Sequence, residues 1–388
     1  MKKGITFLLF FVIVSNCLPF EIKADSATTP ESLLTESVVL MDAQSGQVLY
    51  EKKSTDELYP ASLTKIATAI YAIEKGNLDD IVTVSENARE VEGTRVYLEQ
   101  GEQVTLKKLI QGLLINSGND AGVAIAEHLD GNITTFARRL NNYLQEEVGV
   151  EQTHFKNPHG LFDMEHVTTA FDLAKITQYA MKDEVFRDII GTAELEWVGE
   201  SWTTTLYHHH KMIREIPYDG ISGGKTGYVD ESGHTLMTTA EKDGLSLIVI
   251  SLNGKLPMDT YKDTKQLLDY GFSHFETSSI EGGTKFTDEN GQKYVVSKTL
   301  PYSHPRGEKA NFEVDEDGLL TVKTTDPLVT VGYPLEKVES KTEKVETVSI
   351  QNVDNTNESS KSSILMLVSL LIALTLVVMA LIRLRRKE

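Results

Sequence analysis

Residues 37–50 place two apolar runs around Ser45-Gly46, and apolar runs flanking a short polar turn are the signature of a β-hairpin. A second hairpin is predicted where residues 234–240 and 245–252 flank Lys242-Asp243-Gly244. Between the two the spacing turns helical. Leu106, Leu109, Ile110, Leu113 and Leu114 follow the i, i+3, i+4, i+7, i+8 pattern of an amphipathic helix, with Thr105 placed to cap it. Similar helices are predicted over 121–129, 135–147, 170–181 and 258–275. Residues 285–333 return to short alternating runs broken by Asp, Gly and Pro, which predicts a small all-β domain. Strands, then helices, then strands describe an α+β domain whose antiparallel sheet is assembled from both ends, with a helical lobe beside it. No internal repeat is present.

The two ends carry different patterns. Lys2 and Lys3 precede an apolar run over 5–14, Pro19 breaks it, and Ile22-Lys23-Ala24 offers a cleavage site, so residues 1–24 read as a signal peptide. An uncleaved anchor and lipidation at Cys17 are the alternatives. Residues 364–382 carry no charge and as a helix would span roughly 28 Å, which predicts a transmembrane helix. Arg383, Arg385, Arg386 and Lys387 follow it. The positive-inside rule places this tail (383–388) in the cytoplasm and the body on the outer cell surface, held by a single-pass anchor. The expected organisation is therefore a main domain over 25–277, a β domain over 278–335 and a polar stalk over 336–363.

Composition narrows the chemistry. The 388 residues include 57 acidic and 38 basic side chains and carry a formal charge of −19, which argues against nucleic-acid binding. Cys17 is the sole cysteine, so neither an internal disulfide nor a multi-cysteine metal site is available. His208, His209 and His210 are consecutive, and on a strand they would alternate faces and could not all ligate one ion. No metal is expected.

Three short motifs remain. Ser62 and Lys65 open an almost wholly apolar segment over 66–73; on a helix they share a face, so a serine could be activated by a buried, neutral lysine. A helix start with an incidental lysine fits equally well, and Ser222 and Lys225 have the same spacing but two intervening glycines that argue against a helix. Ser117-Gly118-Asn119 lies in a break between two helices, where it either presents a hydroxyl and an amide to a cleft or merely caps, with Gly118 closing one helix and Asn119 opening the next. Lys225-Thr226-Gly227 precedes the second hairpin and is expected to open a strand. There it could bind a carboxylate, or form an edge with a solvent-facing lysine.

In this order the motifs resemble the set of class A β-lactamases and penicillin-binding proteins. Together with the stretches 60–65, 116–121, 157–161 and 223–227, they make the chain most similar to the serine D-alanyl-D-alanine carboxypeptidases, the low-molecular-mass penicillin-binding proteins. The resemblance covers about 33–277 and implies a β-lactamase-like fold. It implies Ser62 as nucleophile on the terminal D-alanyl-D-alanine of peptidoglycan stem pentapeptides, Lys65 as base and Ser117 as proton relay. Asn119, Lys225, Thr226 and Gly227 would bind substrate, with Asn119 also orienting Lys65, and the backbone of Tyr228 would join that of Ser62 in an oxyanion site. β-Lactam antibiotics would inhibit, and no cofactor is implied. His208–His210 stand near where the family often has asparagine and arginine, which leaves open whether His209 replaces a carboxylate-binding arginine. His159 and His166 read as structural.

Rival readings are a transpeptidase or endopeptidase, a β-lactamase and a non-catalytic wall-binding protein. No glutamate followed by Leu-Asn, the deacylating signature of a β-lactamase, lies between Asn119 and Lys225.

Overall fold

The computed structural model describes residues 29–338. The expected signal peptide (1–24), transmembrane helix (364–382) and tail (383–388), and the expected stalk beyond Val338, lie outside the described residues. Among the described residues no helix is long and apolar enough to cross a membrane.

The main sheet has five antiparallel strands, β1 (Ser37–Asp42), β2 (Val48–Lys52), β3 (Ile221–Val229), β4 (Gly233–Lys242) and β5 (Leu245–Gly254), in the order β2-β1-β5-β4-β3. Both predicted hairpins are present, and β1 joins β5 with Val38 opposite Ser251 and Leu40 opposite Val249, so the sheet is closed by the two ends of the domain. Side chains alternate across a strand, and here both faces are covered. Val39, Met41, Ile248 and Ile250 enter the core shared with the helices. Val38, Leu40, Leu247 and Val249 pack on the other face against Leu267 and Leu268 of the late helix Pro257–His274.

The helical lobe holds α1 (Thr64–Lys75), α2 (Leu106–Ile115), α3 (Asn119–Asp130), α4 (Ile133–Tyr143) and α5 (Ala170–Ala180). Thr105 and Thr169 cap α2 and α5 by accepting from Lys108 N and Asp172 N, and Gly131, with φ +81°, closes α3. The helix predicted over 135–147 divides into α4 and a π turn at Leu144–Val148, ended by Gly149 at φ +76°. α1 is buried on all sides from Thr64 to Ala72, with Ile66 and Ile70 fully enclosed. Each such side chain contributes about 1.5–3 kcal/mol of burial, which makes α1 a rigid mount for whatever stands at its N-terminus.

Residues after the late helix form strands and turns with one short 3-10 helix, Pro327–Val329, among those described, and have a core of Ile280, Val296, Tyr302, Leu320 and Val322. The strand Phe275–Ile280 runs through position 277, where a boundary was expected. Glu336–Lys337, expected in the stalk, pairs with Lys293–Val295. Polar contacts join this region to the sheet: Ser303 Oγ and Thr277 Oγ1 donate to Asp42 Oδ2 (2.7 and 2.6 Å), and Ser303 N donates to Gln47 Oε1 (2.7 Å).

Candidate active site

Ser62 lies in a 3-10 turn, Ala61–Leu63, that leads directly into α1, so its hydroxyl stands at the positive end of the helix dipole. One turn on, Lys65 is fully buried. Its Nζ lies 2.8 Å from Ser62 Oγ and donates to the His159 carbonyl at 2.6 Å. Burial pushes Lys65 well below the usual lysine range, and the nearby Lys225 cation pushes the same way, while the Asp120 carboxylate opposes them. A neutral amine can donate to the His159 carbonyl while turning its lone pair to the Ser62 hydroxyl. That is the geometry a nucleophile–base pair requires.

Ser117 stands between α2 and α3 with φ +61°, a conformation that non-glycine residues adopt only when the surroundings enforce it. The caps differ from expectation. Asn116 ends α2 and Gly118 precedes α3 as its N-cap, because the Asn119 amide is engaged elsewhere: Asn119 Nδ2 donates to Glu92 O (2.7 Å). The carbonyl of His159, a backbone group without a sequence signal, is the partner that fixes Lys65. Asp120, which no motif singled out, accepts from Val96 N (3.0 Å) and Leu98 N (3.1 Å) and ties segment 92–98 to the start of α3.

Lys225 was expected to open a strand; it lies in the middle of β3, since residues from Ile221 onward already pair with β4. β3 is an edge of the sheet, yet Lys225 points inward and is 1% exposed. Its Nζ donates to Ser117 Oγ (3.0 Å) and to Thr226 O (2.9 Å), and burial lowers its pKa to about 7. Gly227 permits the approach of β3 to the nucleophile turn. A Cβ there would stand 2.8 Å from Ser62 N and 2.4 Å from Thr235 Oγ1, so any side chain would push the strand away. Thr235 Oγ1 in turn donates to Pro60 O (3.0 Å).

Ser62, Ser117, Thr226, Gly227 and Tyr228 therefore line one cleft of about 370 Å³, together with Thr94, His209, Lys211, His234 and Tyr261. Asn119 and Lys225 are buried, with Lys225 joined to the cleft-lining Ser117. The three histidines follow the strand Thr203–Tyr207 and do not lie on it, but they still face different ways: His208 and His210 turn inward while His209 reaches the cleft. His210 Nε2 lies 2.8 Å from Thr238 Oγ1, and burial and Lys225 hold His209 down at about 4. His209 is thus neutral at pH 7 and supplies no fixed charge. His166 lies 2.8 Å from Thr64 Oγ1 and stacks on Phe155, which is a structural role.

Chemically the cleft offers an activated hydroxyl, a second hydroxyl held by a lysine, and backbone donors at a helix N-terminus. Residues 23–256 match the family model described as D-alanyl-D-alanine carboxypeptidase. The chain is 33% identical over 289 residues to D-alanyl-D-alanine carboxypeptidase DacF of Bacillus subtilis, covering 72% of this chain and 73% of that one. It is 29% identical over 351 residues to D-alanyl-D-alanine carboxypeptidase DacA of Haemophilus influenzae, covering 81% and 84%. Among solved structures, penicillin-binding protein 5 of Haemophilus influenzae superposes with a TM-score of 0.70 at 25% identity, covering 79% of this chain and 98% of that one. Penicillin-binding protein 6B of Escherichia coli gives 0.66 at 26%, covering 83% and 98%. With the family model matching more than half of its length, the chain belongs to the D-alanyl-D-alanine carboxypeptidase family, peptidase S11.

Proposed function

We propose that this protein is a serine D-alanyl-D-alanine carboxypeptidase that removes the last D-alanine from peptidoglycan stem pentapeptides and is acylated by β-lactams. The observation that carries the reading is the pairing of Ser62 with a fully buried Lys65 at 2.8 Å, in the same cleft as the Lys225–Ser117 pair. In the first step Ser62 Oγ bonds to the carbonyl carbon between the two D-alanines and its proton passes to Lys65. The resulting oxyanion is held by the backbone N–H groups of Ser62 and Tyr228. Ser117 relays a proton to the departing amine as the C–N bond breaks, which leaves an ester on Ser62 and free D-alanine. Water then hydrolyses the ester. Lys225 and Thr226 receive the substrate carboxylate, Gly227 keeps the strand close, and Asn119 holds the substrate amide side of the cleft.

The same reading places the catalytic body outside the cell, with 1–24 removed, the enzyme and the β region that continues it ending near Val338, and the residues after it as a stalk to an anchor at 364–382. Support comes from the charge-free run and the basic tail that follows it. The decisive test pairs labelling by fluorescent penicillin with mass spectrometry of a purified stem pentapeptide. The protein is expected to label and to release one alanine, and Ser62→Ala to do neither. Labelling retained by Ser62→Ala would sink the assignment, and a cross-linked dimer as the main product would make the enzyme a transpeptidase.

A further inference from the structure

Seven non-glycine residues among those described have a positive φ. Lys53 and Asp243 lie in or beside turns and Asn253 near the end of β5, while Ala61 and Ser117 lie in the segments that carry the cleft hydroxyls. Tyr97, with φ +61°, is the one aromatic among them. A bulky residue in this region is an outlier that the surroundings must enforce. The enforcement is visible: Val96 and Leu98, on either side, are buried and donate their N–H groups to Asp120. The outcome is a tyrosine turned outward and 58% exposed.

Its ring is held from two sides. Trp202 meets it edge to face at 5.7 Å and is itself pinned by its Nε1 donating to Val96 O (3.1 Å). The Arg95 guanidinium lies 5.4 Å over the ring. The segment that carries it reaches the cleft: Thr94, whose carbonyl accepts from Asn119 N (2.7 Å), is part of the cleft wall. Three residues of chain place Tyr97 no more than about 11 Å from Thr94. In the same segment Glu90 and Glu99 are exposed but lie against Arg89, while Glu92 is exposed. A carboxylate there accepts hydrogen bonds from neutral hydroxyl and acetamido groups.

We infer that Tyr97, fixed by Trp202 and Arg95, is a stacking platform for a neutral pyranose ring of the glycan strand to which the stem peptide is attached. The inference rests on the carboxypeptidase reading above. An exposed, rigid aromatic face suits the apolar C–H face of a sugar, and a carboxylate of the same segment suits its hydroxyls. The enzyme would thereby prefer stem peptides still joined to glycan.

The test compares kcat/KM of the purified full chain on two substrates, the free stem pentapeptide and an uncross-linked glycan polymer bearing it. Tyr97→Ala is expected to lower the polymer-to-free ratio about three- to tenfold, and Tyr97→Phe to keep it. Tyr97→Gly, which removes the steric penalty of the positive φ, is expected to raise the Tm yet lower the ratio as Tyr97→Ala does. An unchanged ratio in Tyr97→Ala overturns the proposal. So does an equal fall on both substrates, which would mean that the ring touches the peptide or merely supports the cleft. Release of D-alanine from neither substrate by the unaltered protein refutes the carboxypeptidase reading instead, and the inference with it.

Discussion

Gly160 decides whether the nucleophile turn can exist. It has φ +86°, and a Cβ built on it would stand 1.8 Å from Ala61 O and 3.0 Å from Ser62 N. Ordinary contact begins near 3.4 Å, so in Gly160→Ala the two backbones must part by more than about an ångström, and neither is a flexible side chain that yields cheaply. If the Pro60–Ser62 side moves, Ser62 leaves its position. If the Gly160 side moves, it takes the neighbouring His159 carbonyl off Lys65. A misplacement of about 1 Å costs on the order of 10²-fold in rate. The left-handed φ adds about 1–2 kcal/mol and the overpacking about 1–3 kcal/mol, for a total loss of about 2–5 kcal/mol. The assay is the second-order rate of covalent labelling by fluorescent penicillin, with Tm measured alongside. Gly101→Ala is the control: Gly101 has the same φ of +86° but nothing within 4 Å of the added Cβ. It should show the φ penalty without slower labelling. Gly160→Ala that stays folded and labels within threefold of the parent would refute the reasoning.

Three further outcomes are expected. Lys225→Gln removes the cation that lowers the pKa of Lys65, so that pKa rises. The acid limb of the acylation rate then moves to higher pH, and the rate at its optimum falls about 10²-fold; a limb that stays put would uncouple the two lysines. Asp120→Asn acts in the opposite sense, because its carboxylate raises the pKa of Lys65, and the acid limb should move to lower pH in the same pH-rate measurement. Asp263→Ala leaves Thr35 N and Thr35 Oγ1, now 2.7 and 2.6 Å from the carboxylate, buried without a partner. Calorimetry should record a loss of about 3 kcal/mol and a Tm fall on the order of 6–10 °C.

What could be read from the chain was what depends on neighbours in sequence. Period two gave the hairpins of β1–β2 and β4–β5, period 3.6 gave α2, and Ser62 with Lys65 shared a helix face before any coordinates were needed. What could not be read depends on groups that meet only after folding. The Lys65 partner is a carbonyl at His159, and carbonyls look alike at every position. Asp120 lies within the stretch 116–121 that carries the resemblance, but nothing there gave it a role; its bonds from Val96 N and Leu98 N depend on a segment more than twenty residues earlier. The inward turn of Lys225 contradicts the usual behaviour of a lysine on an edge strand, and one of its two partners, the hydroxyl of Ser117, comes from the helical lobe, distant in sequence. The strain at Ala61, Tyr97 and Ser117 likewise arises from contacts distant in sequence and leaves no local trace.

The pairing of β1 with β5 governs the order in which this protein can form. β1 is among the first parts of the body to be synthesised, yet its partner in the sheet and the carboxylate of Asp263 that binds Thr35, 228 residues away, come near the end. Folding dominated by such distant contacts is slow, because loop closure must precede its reward. Lys225 and Gly227, which complete the cleft, also arrive late. A chain still emerging therefore has no assembled acylating centre, and the cleft closes only once the late strands have joined the sheet.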